Sequence, residues 1–180
     1  AGSAGPPPGV PPGPYRNTWA RWPWWSRGER DGVQVRRTGV APGTADAVVT
    51  FRNVHNWRMG SYKPDNADYS VEAFKELYAM LKPGGVLGIE DHRLPEGASE
   101  ERERQSGYLK VSTVRRLAEQ AGFKFAGSSE INANPKDTKD YPKGVWTLPP
   151  RLAEGDTDRA KYLAIGESDR MTLKFVKPLK

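Results

Sequence analysis

An apolar, β-branched stretch, Ala45-Asp46-Ala47-Val48-Val49-Thr50-Phe51-Arg52-Asn53-Val54-His55-Asn56-Trp57, is followed by an amphipathic segment and then by Leu81-Lys82-Pro83-Gly84-Gly85-Val86-Leu87-Gly88-Ile89-Glu90-Asp91-His92. Few folds accommodate that order. Residues 47–54 read as a strand buried on both faces, the pattern of a parallel sheet. Residues 59–68 are a polar loop, and Asp68 or Ser70 is placed to cap the next helix. Val71, Phe74, Leu77, Tyr78 and Leu81 recur at helical spacing and give that helix one apolar face. Pro83-Gly84-Gly85 stops it, and residues 86–89 form a second buried strand. Strand, helix and strand joined by tight turns imply a right-handed parallel crossover.

The remainder of the chain is predicted in the same terms. Residues 94–105 carry four glutamates and three arginines, if Arg93 is counted with them, and form a surface loop or an exposed helix. Ser112 caps a helix whose apolar face is Val114, Leu117, Ala118 and Ala121, and Gly122 ends it. Residues 123–131 read as a third strand, and 132–150 as an irregular, Pro-rich segment with Trp146 buried or stacked. A short helix falls at 158–165, and the alternation of 171–176 predicts a final antiparallel strand. Residues 1–14 contain six Pro and four Gly, a composition unable to bury a core. Residues 1–31 are accordingly expected to be an irregular, partly disordered arm, with the folded domain at 32–180. Within the arm, Trp19, Trp22, Trp24 and Trp25 are mixed with arginines. Three readings stand: cover for an exposed part of the core, an aromatic–cationic binding patch, or the text that GC-rich DNA gives when read out of frame.

Composition narrows the partners. The chain has 180 residues, 36% of them hydrophobic and 28% charged, with a net charge of +6. Its basic residues are interspersed with acids, so a solvated basic surface is favoured over nucleic-acid binding. No apolar run approaches the roughly 18 residues of a membrane span. The opening residues lack the pattern of a signal peptide, which favours the cytoplasm. Cysteine is absent, excluding disulfides and thiolate chemistry.

The phrase Tyr78-Ala79-Met80-Leu81-Lys82-Pro83-Gly84-Gly85-Val86-Leu87 resembles one shared widely among class I, S-adenosylmethionine-dependent methyltransferases. Phe51 to Trp57, Ile131-Asn132-Ala133-Asn134-Pro135-Lys136-Asp137-Thr138-Lys139-Asp140, Val145-Trp146-Thr147-Leu148-Pro149-Pro150 and the ending from Arg159 to Pro178 resemble a narrower bacterial family of predicted methyltransferases. The resemblance covers roughly residues 33–178. It implies an α/β fold: a truncated Rossmann-like sheet, with strands equivalent to the fourth to seventh of the family, flanking helices and an irregular N-terminal arm. It also implies S-adenosylmethionine as cofactor. The departure is upstream. Nothing before Ala45 supplies a strand followed by a Gly-rich loop, where backbone approaches the cofactor closely. The family pattern therefore predicts a piece lacking the main cofactor cradle, so that catalysis by this chain alone is in question. The strand at 47–54 would then be an edge, and self-association through it as a homodimer is expected. A strand at 33–35 or the tryptophans are the other candidates to cover it.

Ligands of open α/β sheets bind beyond the carboxyl ends of the strands. The first strand runs into Asn53, His55, Asn56 and Trp57, and the second into Glu90, Asp91 and His92. Neighbouring strands bring both of the chain's histidines to one rim. His55 or His92 is a candidate general base, with Asp91 or Glu90 orienting it. Asn53, Asn56 and Trp57 are candidate acceptor contacts. Lys110, Asn132, Asn134, Lys136 and Asp137 lie in family-like stretches and are candidates to close over the rim, or to make loop-stabilising hydrogen bonds. Two alternatives remain beside the methyltransferase reading. One is a small hydrolase of esters or lactones using the His/Asp rim, with or without Zn or Mn. The other is a non-catalytic binding or dimerisation module.

Overall fold

The β-branched run at 45–51 forms the first strand, and the strand ends where the backbone turns left-handed at Arg52. The computed structural model describes residues 40–61 and 63–179. The arm at 1–31, its tryptophan cluster and the expected strand at 33–35 lie outside those residues. β1 (Ala45–Phe51) is parallel to β2 (Leu81–Leu94), with Val48 beside Leu87 and Thr50 beside Ile89. Between them lie α1 (Val54–Arg58) and α2 (Ser70–Met80). Asp68 precedes α2 and accepts bonds from the Ser70 amide and hydroxyl. After β2 come α3 (Glu100–Gln105), the short β3 (Leu109–Lys110), α4 (Val111–Gln120), β4 (Lys124–Ser129), a 3-10 turn at Gly144–Thr147, α5 (Arg159–Ile165) and β5 (Arg170–Val176).

The architecture is α/β. The sheet runs β1-β2-β5-β4, with β3 paired to the far end of β2. β5 is antiparallel to both β2 and β4, as the alternation of its residues predicts. Leu87 and Ile89 of β2 and Leu173 and Phe175 of β5 meet Phe74 and Leu77 of α2 and Val114 and Leu117 of α4 in one apolar cluster. Phe123 bridges the layers, edge-on to Tyr78 and tilted against Phe175.

Two expectations require correction. β1 is not buried on both faces: Val49 is 62% and Phe51 64% exposed. Val86 and Gly88, on the same side of β2, are only half-buried. The reason is that α2 and α4 both pack on the other face, the one carrying Leu87 and Ile89. Among the described residues, β1 is also a sheet edge. Second, residues 53–57 do not continue the strand. Arg52 turns with φ +49°, and α1 begins at Val54. A five-residue helix gives no usable periodicity and is unstable alone. Tertiary contacts hold this one: Val54 and Trp57 enter the core, and Arg58 pairs with Asp68 and Glu100. Residues 94–105 resolve into a loop and α3, capped by the Ser99 hydroxyl. The expected cap at Ser112 is instead engaged by Glu96, and Lys110 precedes α4. No helix among the described residues is long and apolar enough to cross a membrane.

The 3-10 turn is held through the Val145 amide, which donates to the Ser106 carbonyl at 2.8 Å. Gly144 adopts φ +56°, and a Cβ there would fall 2.2 Å from that same carbonyl oxygen. Gly144→Ala is therefore expected to destabilise the fold by at least about 1–2 kcal/mol, the cost of the left-handed backbone alone. Denaturant unfolding measures this, and the fluorescence of Trp146 should shift as the turn lifts away.

Candidate functional site

Leu87, Ile89 and Asp91 alternate along the buried face of β2, so the carboxylate of Asp91 stands where a further apolar residue would continue the core. Asp91 is fully buried. Its charge is met by three hydrogen bonds. The His55 amide donates to Oδ2 at 3.1 Å, the His92 amide donates to Oδ1 at 2.8 Å, and His55 Nδ1 lies 2.7 Å from Oδ1. Burial pushes the Asp91 carboxyl up, but the facing His55 and His92 and the bonds they give outweigh it and hold the group below the ordinary carboxylate range. An ionised carboxylate only accepts, so the proton on His55 sits at Nδ1 and Nε2 is the ring atom left to exchange with a ligand.

His92 is held differently. Its Nδ1 lies 2.6 Å from the Ser168 hydroxyl, and its ring centroid is 5.0 Å from that of His55. Burial lowers its pKa to about 3, with the charge of Asp91 opposing and those of His55, Arg170 and Arg52 adding to the shift. His92 is therefore neutral at physiological pH. Both rings line a cleft of about 280 Å³, together with Arg52, Asn56, Trp146 and Arg170. Trp146 stands edge-on to His55, with centroids 6.1 Å apart.

The other predicted residues fall around this centre. Asn53 starts α1, its carbonyl accepting from the amides of Asn56 and Trp57. Trp57 does not line the cleft. It is buried in the core, edge-on to Phe74, because α1 turns that side chain inward. Glu90 pairs with Arg170 at 2.7 Å, and burial raises its carboxyl above the usual range despite that partner. Lys110 donates to the Ala98 carbonyl and pairs with Glu103, and Asn132 donates to the Thr172 hydroxyl. Neither reaches the cleft. Asn134 and Asp137 brace the loop ahead of β5. The Asn134 side chain donates to the carbonyls of Ile165 and Glu167, and Asp137 accepts from the Asp169 amide and the Tyr108 hydroxyl. The Lys136 amide donates to the Asn134 side chain, an Asx turn. Asp169 takes a two-point bond from Arg93, at 2.7 and 3.1 Å. This framework sets Ser168 beside His92.

Sequence reasoning assigned no role to Ser168, Arg52, Arg151 or Arg170. Ser168, Arg52 and Arg170 lie in family-like stretches, which is a signal for the segment but not for the residue. The arginines carry no local signature that separates them from solvated charge.

His55, Asp91 and His92 are the group among the described residues whose donor atoms lie close enough to hold a metal, all within 4.8 Å of one another. A cradle for S-adenosylmethionine is a different matter. Gly84-Gly85 precedes the buried run of β2 instead of following a strand, and a Cβ at Gly85 would meet Leu81 and the Lys82 carbonyl at 2.9 Å. That space is filled by the protein's own chain. No strand–Gly-rich loop–helix occurs among the described residues, which therefore do not fit the cofactor.

No protein-family model matches the chain, and no curated protein sequence does. Solved structures similar to it include the [4+2]-cyclase SpnF, at 14% identity over 77% of this chain and 52% of that one, with a TM-score of 0.47. An S-adenosylmethionine-dependent methyltransferase from Thermotoga maritima is similar at 14% identity, over 77% and 59%, with a TM-score of 0.44. The arsenic(III) S-adenosylmethionine methyltransferase CrArsM from Chlamydomonas reinhardtii is similar at 16% identity, over 79% and 40%, with a TM-score of 0.41. The chain spans about half the length of these proteins.

A histidine kept neutral by folding makes stability depend on pH. Unfolded, His92 takes up its proton near pH 6.5, while folded it resists down to about 3. Its contribution is thus complete above pH 6.5 and is lost as pH falls toward 3, by up to about 1.4 kcal/mol per pH unit. Unfolding free energies of the wild type and His92→Gln, measured between pH 6.5 and 4, should show a steeper acid loss for the wild type. Parallel curves would contradict a buried neutral His92.

Proposed function

We propose that this chain is a methyltransferase-like protein whose described residues form the acceptor side of a site, with the cofactor cradle absent from them. The observation that carries this reading is the buried 2.7 Å contact between Asp91 and Nδ1 of His55, whose ring lines the cleft. An acceptor hydroxyl or amine in the cleft gives its proton to His55 Nε2. The X–H bond breaks, the Nε2–H bond forms, and the electron pair stays on the acceptor atom. Asp91 stabilises the resulting imidazolium and fixes the ring. Asn56, on the cleft side of α1, is placed to orient the acceptor.

The hydrolase reading has one observation in its favour, the Ser168 hydroxyl at 2.6 Å from His92 Nδ1. His92 is nonetheless a weak base at neutral pH, and Asp91 braces His55 in its place, so this pair lacks the activation a serine nucleophile needs.

The cofactor half of the proposal is tested by titrating S-adenosylhomocysteine into the full chain by calorimetry. The reading expects no binding up to millimolar ligand, and micromolar binding would overturn it. The exposed edge of β1, with Val49 and Phe51 uncovered, is proposed as the surface through which two copies pair. Light scattering at micromolar concentration should give a homodimer that Phe51→Lys dissociates; a monomeric wild type refutes this.

A further inference from the structure

The charges around the cleft are unevenly answered. Arg170 enters it from the start of β5 but is matched by Glu90 at 2.7 Å and by Glu167 at 2.5 Å. Those are the cleft's two nearby acids besides Asp91, which His55 and the backbone amides already occupy. Arg52 and Arg151 also line the cleft, one from the turn after β1 and the other from the loop after Pro150. Among the described residues, neither guanidinium has a hydrogen-bonding or ion-pairing side-chain partner. Arg52 is delivered there by a left-handed backbone (φ +49°), a conformation uncommon outside glycine and often found where a side chain must be aimed. Leu148, Pro149 and Trp146 add apolar surface to the lining.

We infer that the cleft binds a small aromatic carboxylate, its acid group paired with Arg52 and Arg151 and its ring against Trp146. Arg52 reaches Glu90 only through its charge, and the two guanidiniums keep their forked donors for a carboxylate in two-point contact. The apolar surface requires a ligand that is not a bare inorganic anion, and the volume of about 280 Å³ lies at the lower end for ligand pockets. Arg52 and Arg170 both bear positively on His92, and that charge disfavours a metal ion on the two histidines. The inference rests on the acceptor-site reading for the ligand's role as proton donor; the anion contact stands independently of it.

The test uses the full chain and 4-hydroxybenzoate as probe, followed by calorimetry. The acid should bind, and 4-hydroxybenzamide, its neutral counterpart, should bind at least roughly tenfold more weakly. Arg52→Ala and Arg151→Ala should each weaken the acid by roughly tenfold, whereas Arg116→Ala, an exposed position on α4, should not. Both cleft arginines are exposed, so these variants are expected to keep the wild-type circular dichroism and melting temperature. Absence of acid binding, equal binding of the amide, or equal loss in Arg116→Ala overturns the inference. So does binding of zinc, but not of the acid, that is lost in His92→Gln. Repeating the titration in buffers of different ionisation heat separates the two readings. Acid binding that depends on both arginines, with no proton uptake attributable to His55, leaves the anion site standing and sinks the base assignment.

Discussion

A single buried carboxylate organises this site. Asp91 occupies a core position on β2, and a charge there is tolerated only when its lone pairs are answered. The answers come from two segments. The backbone and ring of His55 approach from α1, and the amide of His92 comes from β2 itself. The short helix α1 owes its placement to this carboxylate as much as to Val54 and Trp57, since its sequence has little independent tendency to be helical. Removing the charge would leave the His55 amide and Nδ1 without partners in a closed environment, so the position of α1 and the tautomer of His55 are coupled.

The two histidines sit close together in unlike environments. His55 is braced by a carboxylate through Nδ1 and lines the cleft. His92 is braced by a hydroxyl and is kept neutral by burial and by neighbouring positive charge. Two neighbouring rings are thus braced by different partners, and burial keeps His92 neutral. A second network around Asp137 and Asp169 ties Tyr108, Arg93 and the loop from Asn134 to the start of β5. It reaches the cleft wall through the Glu167 carbonyl, which accepts from Asn134, and it sets where Ser168 and Arg170 stand. The family-like stretch at 131–140 acts through this framework.

Much of the fold was legible in the chain. The apolar stretches of β1 and β2, the spacing of α2 and the alternation of β5 each carry a strong local period, and all four elements form. Coverage of the sheet was not legible. Val48 and Val49 are identical in sequence terms, and only the location of α2 and α4 makes one half-buried and the other exposed. α1 and β3 are too short to leave a pattern. The meeting of His55, Asp91 and His92 could be anticipated because both strands end at the same rim. The partnership could not: Asp91 neighbours His92 in sequence, yet its side chain clasps the ring of His55, a contact made by a turn that begins at Arg52. Trp57 misled because it follows the carboxyl end of a strand, where ligands of α/β sheets bind, whereas the helical turn of α1 points it into the core.

The site as described requires the His55–Asp91 contact to be a fixed, proton-bearing pair with Nε2 open to the cleft. Nitrogen-detected NMR of the imidazole rings in the full chain tests this most directly. His55 is expected to be protonated at Nδ1 with a strong hydrogen-bond signature, and Asp91→Asn should abolish that signature while His92 stays neutral. Finding His55 protonated at Nε2 in its neutral form, or its ring unchanged in Asp91→Asn, would contradict the pairing.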